Sequence, residues 1–422
     1  MGAPATRAQA RDMTTMGVER QATYRQVLAE PRFRLLFATR SLAIAADTLR
    51  MVALSILVFG LTGSPLMAAV AFGIGFAPQA VGGTMLGALA DCVRPRLLIT
   101  TGYGLEAATA AALALLGMPV WASMALVAAV AGLTPVFGGA SARLVAEVLG
   151  GDAYVLGRSL SNIASSAAQL LGLAAGGITV ATLGTRHALL VTAGCHLAAA
   201  AAVRLRLPDL VAAAEPAGRR RGSVLRQSLT GSRQLITDRA VRALMLAHWL
   251  PPAFVTGTEG LIVPYVALRG FPVGSAALLL ACLPVGMIVG DLAVGRLLRP
   301  RTREMLTVPL MVTCGLPLLA FAAHPPLPAV AALLVITGVG LAYTLGIQRR
   351  FLDTVPEAML GQAFGLQSTG LMTLQGVGPA GFGAVAQAIS PGPAMTIAGA
   401  GAVATGLALR PWLPRANRPP GR

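Results

Sequence analysis

Arg40, Asp47 and Arg50 fall at spacings of seven and three within a long apolar run. At about 100° per residue, a helix carries all three on one face. An ionisable group inside a membrane helix costs roughly 2.5–3.5 kcal/mol on insertion scales, so such residues mark function by default. A carboxylate flanked by guanidinium groups can hold its charge, or exchange a proton for a cationic partner. Asp47 is therefore the first candidate for proton coupling or substrate binding, with Arg50 as its partner. Arg40 lies close enough to the helix start to snorkel to the interface. A purely structural ion pair is the alternative. Glu106 is the only Asp, Glu, Lys or Arg between Arg96 and Arg143, and Glu259 is similarly alone between Arg242 and Arg269. Both are further candidates for proton coupling or substrate binding, or else neutral acids that hydrogen-bond a neighbouring helix. Asp291, near Arg296, is expected to form a structural pair. Asn162, Ser166 and Gln169, with Ser368, Met372 and Gln375 further on, recur at spacings that share a helix face. They are cavity-lining candidates, although polar side chains also hold spans together.

These residues need a frame, and the composition supplies it. The chain has 422 residues, 55% hydrophobic and only 12% charged, with a mean hydropathy of +0.72, whereas a soluble domain carries about 25% charged residues. Apolar runs near the roughly 20 residues of a membrane span alternate with short polar stretches. Only helices and closed barrels satisfy their backbones in lipid, and barrel strands alternate where these runs are continuous. The formal charge of +17 comes with 33 basic residues, all arginine. They gather at every second loop, and the intervening loops hold only Arg186 and Arg269. That is the pattern of basic loops left inside, so nucleic acid is not the expected partner and both termini are expected to be cytoplasmic.

The expected fold class is an all-α membrane protein with twelve transmembrane helices in two six-helix pseudo-repeats. Residues 1–30 are expected to form a flexible cytoplasmic tail, 31–207 the first bundle, 208–241 an Arg-rich cytoplasmic linker, 242–413 the second bundle and 414–422 a second tail. A shift of 206 positions lays Arg143 on Arg349, Glu147 on Asp353, Gln169 on Gln375 and Gly172 on Gly378. Such a parallel repeat is a recurring transporter plan. The Gly-rich pieces 172–177 and 376–383 are expected to bring helices into close contact. Cys92, Cys195, Cys282 and Cys314 and the four histidines lack ligand or redox spacing, so no metal, no cofactor and no enzyme activity are expected. Trp121, Trp249 and Trp412 are expected as anchors near span ends.

Gly87-x-Leu89-Ala90-Asp91, followed by Arg94 and Arg96 between the second and third spans, resembles motif A of the major facilitator superfamily. Ala46-Asp47, Thr62-Gly63-Ser64-Pro65 and Gly87 to Asp91 together resemble the macrolide-efflux and siderophore-exporter branch. The resemblance implies a secondary transporter in the cell (inner) membrane, exporting a small organic compound by proton antiport with alternating access. The proton gradient is its expected energy source, and its expected partners are a small-molecule substrate and the lipid bilayer, with the chain a monomer. The alternatives are a nutrient importer of the same fold and a membrane scaffold acting through the Arg-rich loop. The resemblance also implies a conformational latch at the cytoplasmic face. Its parts are Gly87, Asp91, Arg94, Arg96, Glu147 and Asp353, with Arg94 or Arg96 facing Glu147 and Asp91 facing the start of the eleventh span. Cys92 and Pro95 stand where arginine is usual in the motif, which weakens the latch. Span 5 carries Leu173 where the antiporter motif has proline, and Gly378-Pro379 appears in span 11 instead.

Overall fold

The computed structural model describes residues 23–86, 93–149, 151–209, 232–272, 274–298, 300–356 and 359–413, and every regular element among them is helical. A short helix α1 (Tyr24–Ala29) is capped by Thr23, whose side chain accepts from the Gln26 backbone while the Gln26 side chain accepts from the Thr23 amide. The chain then enters α2 (Pro31–Thr62) with proline in the first turn and leaves it at Gly63, which adopts φ 62°. A left-handed residue at that point lets the helix end in a tight turn, and glycine does so without a Cβ penalty. Ser64 caps the next helix through Met67 N–H.

The second span is broken. Residues Pro65–Gly73 form α3 and Ala77–Leu86 form α4, separated by a turn at 74–76. Pro78 causes the break, because it lacks an amide hydrogen and its ring crowds the carbonyl of residue 74. Three long helices follow: α5 (Pro95–Leu115), α6 (Val120–Val148) and α7 (Gly151–Arg206). The last of these holds two spans, since Gly184 breaks it with φ 82° and ψ 168°. The expected linker is partly helical at 232–237, and its residues 210–231 lie outside the described residues.

In the second half, α8 (Arg239–Leu268) begins at Asp238, whose carboxylate accepts from the amides of Ala240 and Val241. It runs unbroken through Pro251, Pro252 and Pro264. After it come α9 (Ser275–Leu292), a π-helical turn at Ala293–Leu297, α10 (Pro300–Met305) and α11 (Thr307–Gly315). The chain then tightens into a 3₁₀ segment at Leu316–Ala323. Here again prolines explain an interruption that hydropathy does not show, with Pro309 crowding the Met305 carbonyl and Pro317 that of Thr313. Helices α12 (Leu327–Gly340), α13 (Tyr343–Thr354), α14 (Leu360–Ile389) and α15 (Pro391–Leu409) complete the order.

Among the described residues, eight helical segments are apolar and long enough to cross a membrane. Helices α8 and α14 match them in length at 30 residues each. Large apolar side chains stand on the outside, among them Leu205, Trp121 and Leu116. Water does not tolerate so many, whereas lipid does. Within the first half α2 packs on α3 and α7, and α5 on α6 and α7; within the second, α8 packs on α14 and α15, and α9 on α12. The halves meet where α3 and α4 cross α14, where α3 touches α8 and where α7 meets α9.

Small residues make these crossings close. A Cβ on Gly376 would meet Ala77 at 2.6 Å, one on Gly383 would meet Ala69 at 2.9 Å, and one on Gly177 would collide with Ala277. Across the same seam, Ser64 Oγ donates to Gln387 Oε1 at 2.8 Å. Trp249 is not at a span end as expected; it lies within α8 and donates from Nε1 to the Gln367 carbonyl at 2.9 Å. Trp412 takes the Arg239 guanidinium over its ring at 3.1 Å. A Cβ on Gly286 would run into the Val335 carbonyl and the Gly338 backbone, neither of which can turn aside. Gly286→Val is therefore expected to destabilise the α9–α12 pair by about 1–3 kcal/mol. The loss would appear as a smaller monodisperse peak in detergent size-exclusion chromatography. Gly104→Ala, which meets nothing within 4 Å, is the control.

Candidate functional site

Between the two halves lies a cavity of about 530 Å³. Its wall includes Arg40 on α2 and His248 on α8, each nine residues into its helix, and Leu54 and Glu259 deeper on the same two helices. At 1.5 Å per residue, the shallowest of these lie about 13 Å from the helix starts. Beyond the deep end, the small-residue seam of α3 and α14 closes the halves together. The lining carries two guanidinium groups, Arg40 and Arg50, and four carboxyl groups, Asp47, Glu106, Glu259 and Asp291, with apolar surface from Phe72, Leu173, Val255 and Met287.

The charges are unevenly arranged. On the first-half wall, Arg50 bridges two acids. Its Nη2 donates to Asp47 Oδ1 at 2.9 Å, and its Nη1 stands 3.1 Å from Glu106 Oε2. The side chains of Arg50 and Glu106 are 9% and 8% exposed, whereas that of Asp47 is 39% exposed. A guanidinium suits this place because its planar fork serves two carboxylates and it never loses its charge. Thr134 on α6 adds a hydroxyl to Glu106 Oε1 at 3.4 Å. On the second-half wall, Glu259 and Asp291 belong to no ion pair among the described residues, and the Arg296 side chain lies outside them.

Arg40, Asp47 and Arg50, which share one helix face by spacing, thus contribute unequally, with Asp47 and Arg50 paired and Arg40 exposed on the cavity wall. Glu106, read as a lone acid, is the second partner of Arg50. Gln169 and Gln375 line the cavity from α7 and α14, and Met372 joins them, while Ser368 is exposed outside that lining. The side chains of Asn162 and Ser166 lie outside the described residues.

Two histidines escaped the sequence. His248 faces the cavity. His196, on the second span of α7, is 1% exposed and places Nε2 at 3.4 Å from Asp47 Oδ1. Both were isolated in the chain, and no spacing rule could have joined His196 to a residue on another helix. Asp47, Glu106 and His196 bring their ligand-type atoms within 4.8 Å of one another. The Arg50 guanidinium already stands against both carboxylates, and a metal cation there would be repelled by it.

At the rim the expected latch is arranged differently. Gly87 and Asp91 lie outside the described residues. Arg94 pairs with Asp209 at 3.0 Å instead of facing Glu147, and the Arg96 guanidinium donates to the Arg204 carbonyl. Glu147 pairs with Arg143 one turn before it, at 3.3 Å. Arg143 and Arg204 belong to the first half, and Asp209 follows it at the start of the linker. Asp353 is exposed near the end of α13.

Two packed helical halves around a central cavity lined by apolar and ionisable side chains define a membrane carrier. The Major Facilitator Superfamily profile matches residues 36–348, and the chain belongs to that family of transporters. It is similar to the multidrug efflux pump Tap of Mycolicibacterium fortuitum, with 26% identity over 356 residues covering 80% of this chain and 85% of Tap. It is also similar to the MFS-type transporter y4rN of Sinorhizobium fredii (strain NBRC 101917 / NGR234), with 27% identity over 322 residues covering 73% of this chain and 75% of y4rN. Among solved structures, the nucleoside transporter NupG superposes with a TM-score of 0.71 at 13% identity, covering 90% of this chain and 99% of NupG. That likeness is one of fold.

Proposed function

We propose that the protein exports a small, amphipathic organic compound, drug-like or a siderophore, across the cell membrane by proton antiport. The observation that carries this reading is the Arg50 bridge between Asp47 and Glu106 on the cavity wall. One cation shared by two acids leaves room for a single proton to change the balance. When Asp47 is ionised, Arg50 divides itself between two carboxylates; when Asp47 takes a proton, Arg50 belongs to Glu106. Because Asp47 is the acid open to the cavity, a bound molecule competes with its proton directly. The opposite wall offers Glu259 and Asp291 among apolar side chains, a surface for a molecule with a polar or basic group on an apolar body. Likeness to an efflux pump over most of both chains supports the outward direction.

In this reading the termini face the cytoplasm, where the arginine-rich loops belong, and the chain works as a monomer. Arg94, Arg96, Glu147 and Asp353 sit at that face, where they would change partners as the halves rock.

The test is accumulation of ethidium, erythromycin and a catecholate siderophore in cells with and without the protein. Lower accumulation of at least one compound, rising when the proton gradient is collapsed, is the expected result. Higher accumulation in the presence of the protein would identify an importer, and no difference across the panel would leave the scaffold reading in its place.

A further inference from the structure

Behind the Asp47–Arg50–Glu106 cluster lies a second, smaller cavity of about 30 Å³, large enough to hold at least one water molecule. Asp47, Glu106, Arg40 and Thr134 line both cavities, so they form the partition between them. His196, Tyr103, Gly138 and Ser141 line only the smaller one. Along α5 the small cavity extends from Glu106 to Ile99, about 10 Å toward the start of that helix at 1.5 Å per residue. Asp47 can thus be approached from two directions, through the central cavity and from behind.

His196 stands at the rear approach. It is 1% exposed, its Nε2 is 3.4 Å from Asp47 Oδ1, and neither ring nitrogen has a hydrogen-bond partner among the described residues. Leaving a buried polar atom unpaired is costly, and native structures rarely do so without a function or a water at the place. The ring packs beside Tyr103, with centroids 6.3 Å apart. The ionisable groups around it are Asp47 and Arg40 on α2, Tyr103 and Glu106 on α5, and Arg50 through Asp47.

We propose that His196 is the proton acceptor for Asp47 and that the small cavity is the route by which that proton leaves toward the N-terminal face. The inference rests on the antiport reading above and adds a separate path for the proton. The Asp47 carboxyl O–H bond breaks and an N–H bond forms at His196 Nε2. The carboxylate left behind remains paired with Arg50, and the imidazolium gives a ring proton to water in the rear cavity. The transported molecule can then fill the central cavity without trapping the proton behind it.

The experiment uses the full chain in proteoliposomes with ethidium, erythromycin and a catecholate siderophore as probes. Two movements are measured: uphill transport driven by a proton gradient, and exchange of the probe between equal concentrations with no gradient. His196→Gln removes the acceptor. Gly138→Leu keeps the acceptor and fills the rear cavity, where a Cβ meets only Arg40 Nη1 at 3.8 Å. For each variant, uphill transport is expected to fall roughly 100-fold, the scale of a positioned proton-transfer group. The dependence of its rate on pH is expected to flatten, while exchange persists. Uphill transport with an unchanged pH profile in both variants would overturn the proposal. Wild-type protein that exchanges probe but ignores the proton gradient, or moves none of the three, would overturn the antiport reading and this inference with it.

Discussion

Replacing Arg50 by leucine is expected to abolish transport and to lower the stability of the protein in detergent by about 3 kcal/mol, the lower end of the cost of breaking a buried ion pair. The two acids do not share this cost equally. Asp47 is 39% exposed and keeps part of its hydration, so its half of the bridge is discounted for screening. Glu106 is 8% exposed and would be left as a buried carboxyl group without its cation, with Thr134, Asp47 and His196 as its polar neighbours. The check is the thermal midpoint followed by tryptophan fluorescence. Adding Glu106→Gln to Arg50→Leu should recover most of the loss, because it removes the orphaned charge instead of restoring the pair. Arg50→Lys should recover less, since an ammonium lacks the planar fork that reaches both carboxylates. A leucine variant that melts and transports like the wild type would show that the bridge is incidental.

Asp47→Asn is expected to behave in the opposite way, with the fold kept and the coupling lost. The amide has nearly the shape of the carboxyl group, and Arg50 retains Glu106 at 3.1 Å, so the thermal midpoint should move little. Asparagine cannot carry the exchanged proton, and uphill export should fall by roughly 100-fold or more. Gradient-independent exchange of the same compound should continue, because the cavity and its apolar lining are intact. Transport assays with and without a proton gradient separate the two quantities. If Asp47→Asn still concentrates the probe against its gradient, the coupling proton resides elsewhere. Glu259, on the opposite wall, would then be the next residue to test.

The contrast between the two variants follows from the difference between a residue that holds charge in place and one that can change it. It also shows where the sequence stopped being informative. Arg50 and Asp47 were legible because they are three residues apart on one helix, where periodicity alone sets the distance. Glu106 was legible as an acid in a span but not as a partner of Arg50, since the contact joins α2 to α5. His196 is isolated in the sequence but stands beside Asp47, because helix packing, which no local rule encodes, turns the second span of α7 toward α2. The breaks at 74–76 and 306 had a sequence signal in Pro78 and Pro309. Yet Pro251, Pro252 and Pro264 lie in an unbroken helix, so the same residue type gave different outcomes under different packing.

Family, membrane residence and helical class could be read from the sequence alone, because hydropathy, arginine placement and the Gly87–Arg96 motif are properties of short stretches that lipid and topology constrain directly. The small-residue crossings were also legible in outline, as Gly172–Gly177 and Gly376–Gly383, since only small side chains let helices approach so closely. Tertiary structure alone decided which acids share one cation, which partners Arg94, Arg96 and Glu147 take, and which histidine stands behind Asp47. Each is a contact between helices distant in sequence, set by how two bundles pack around a cavity.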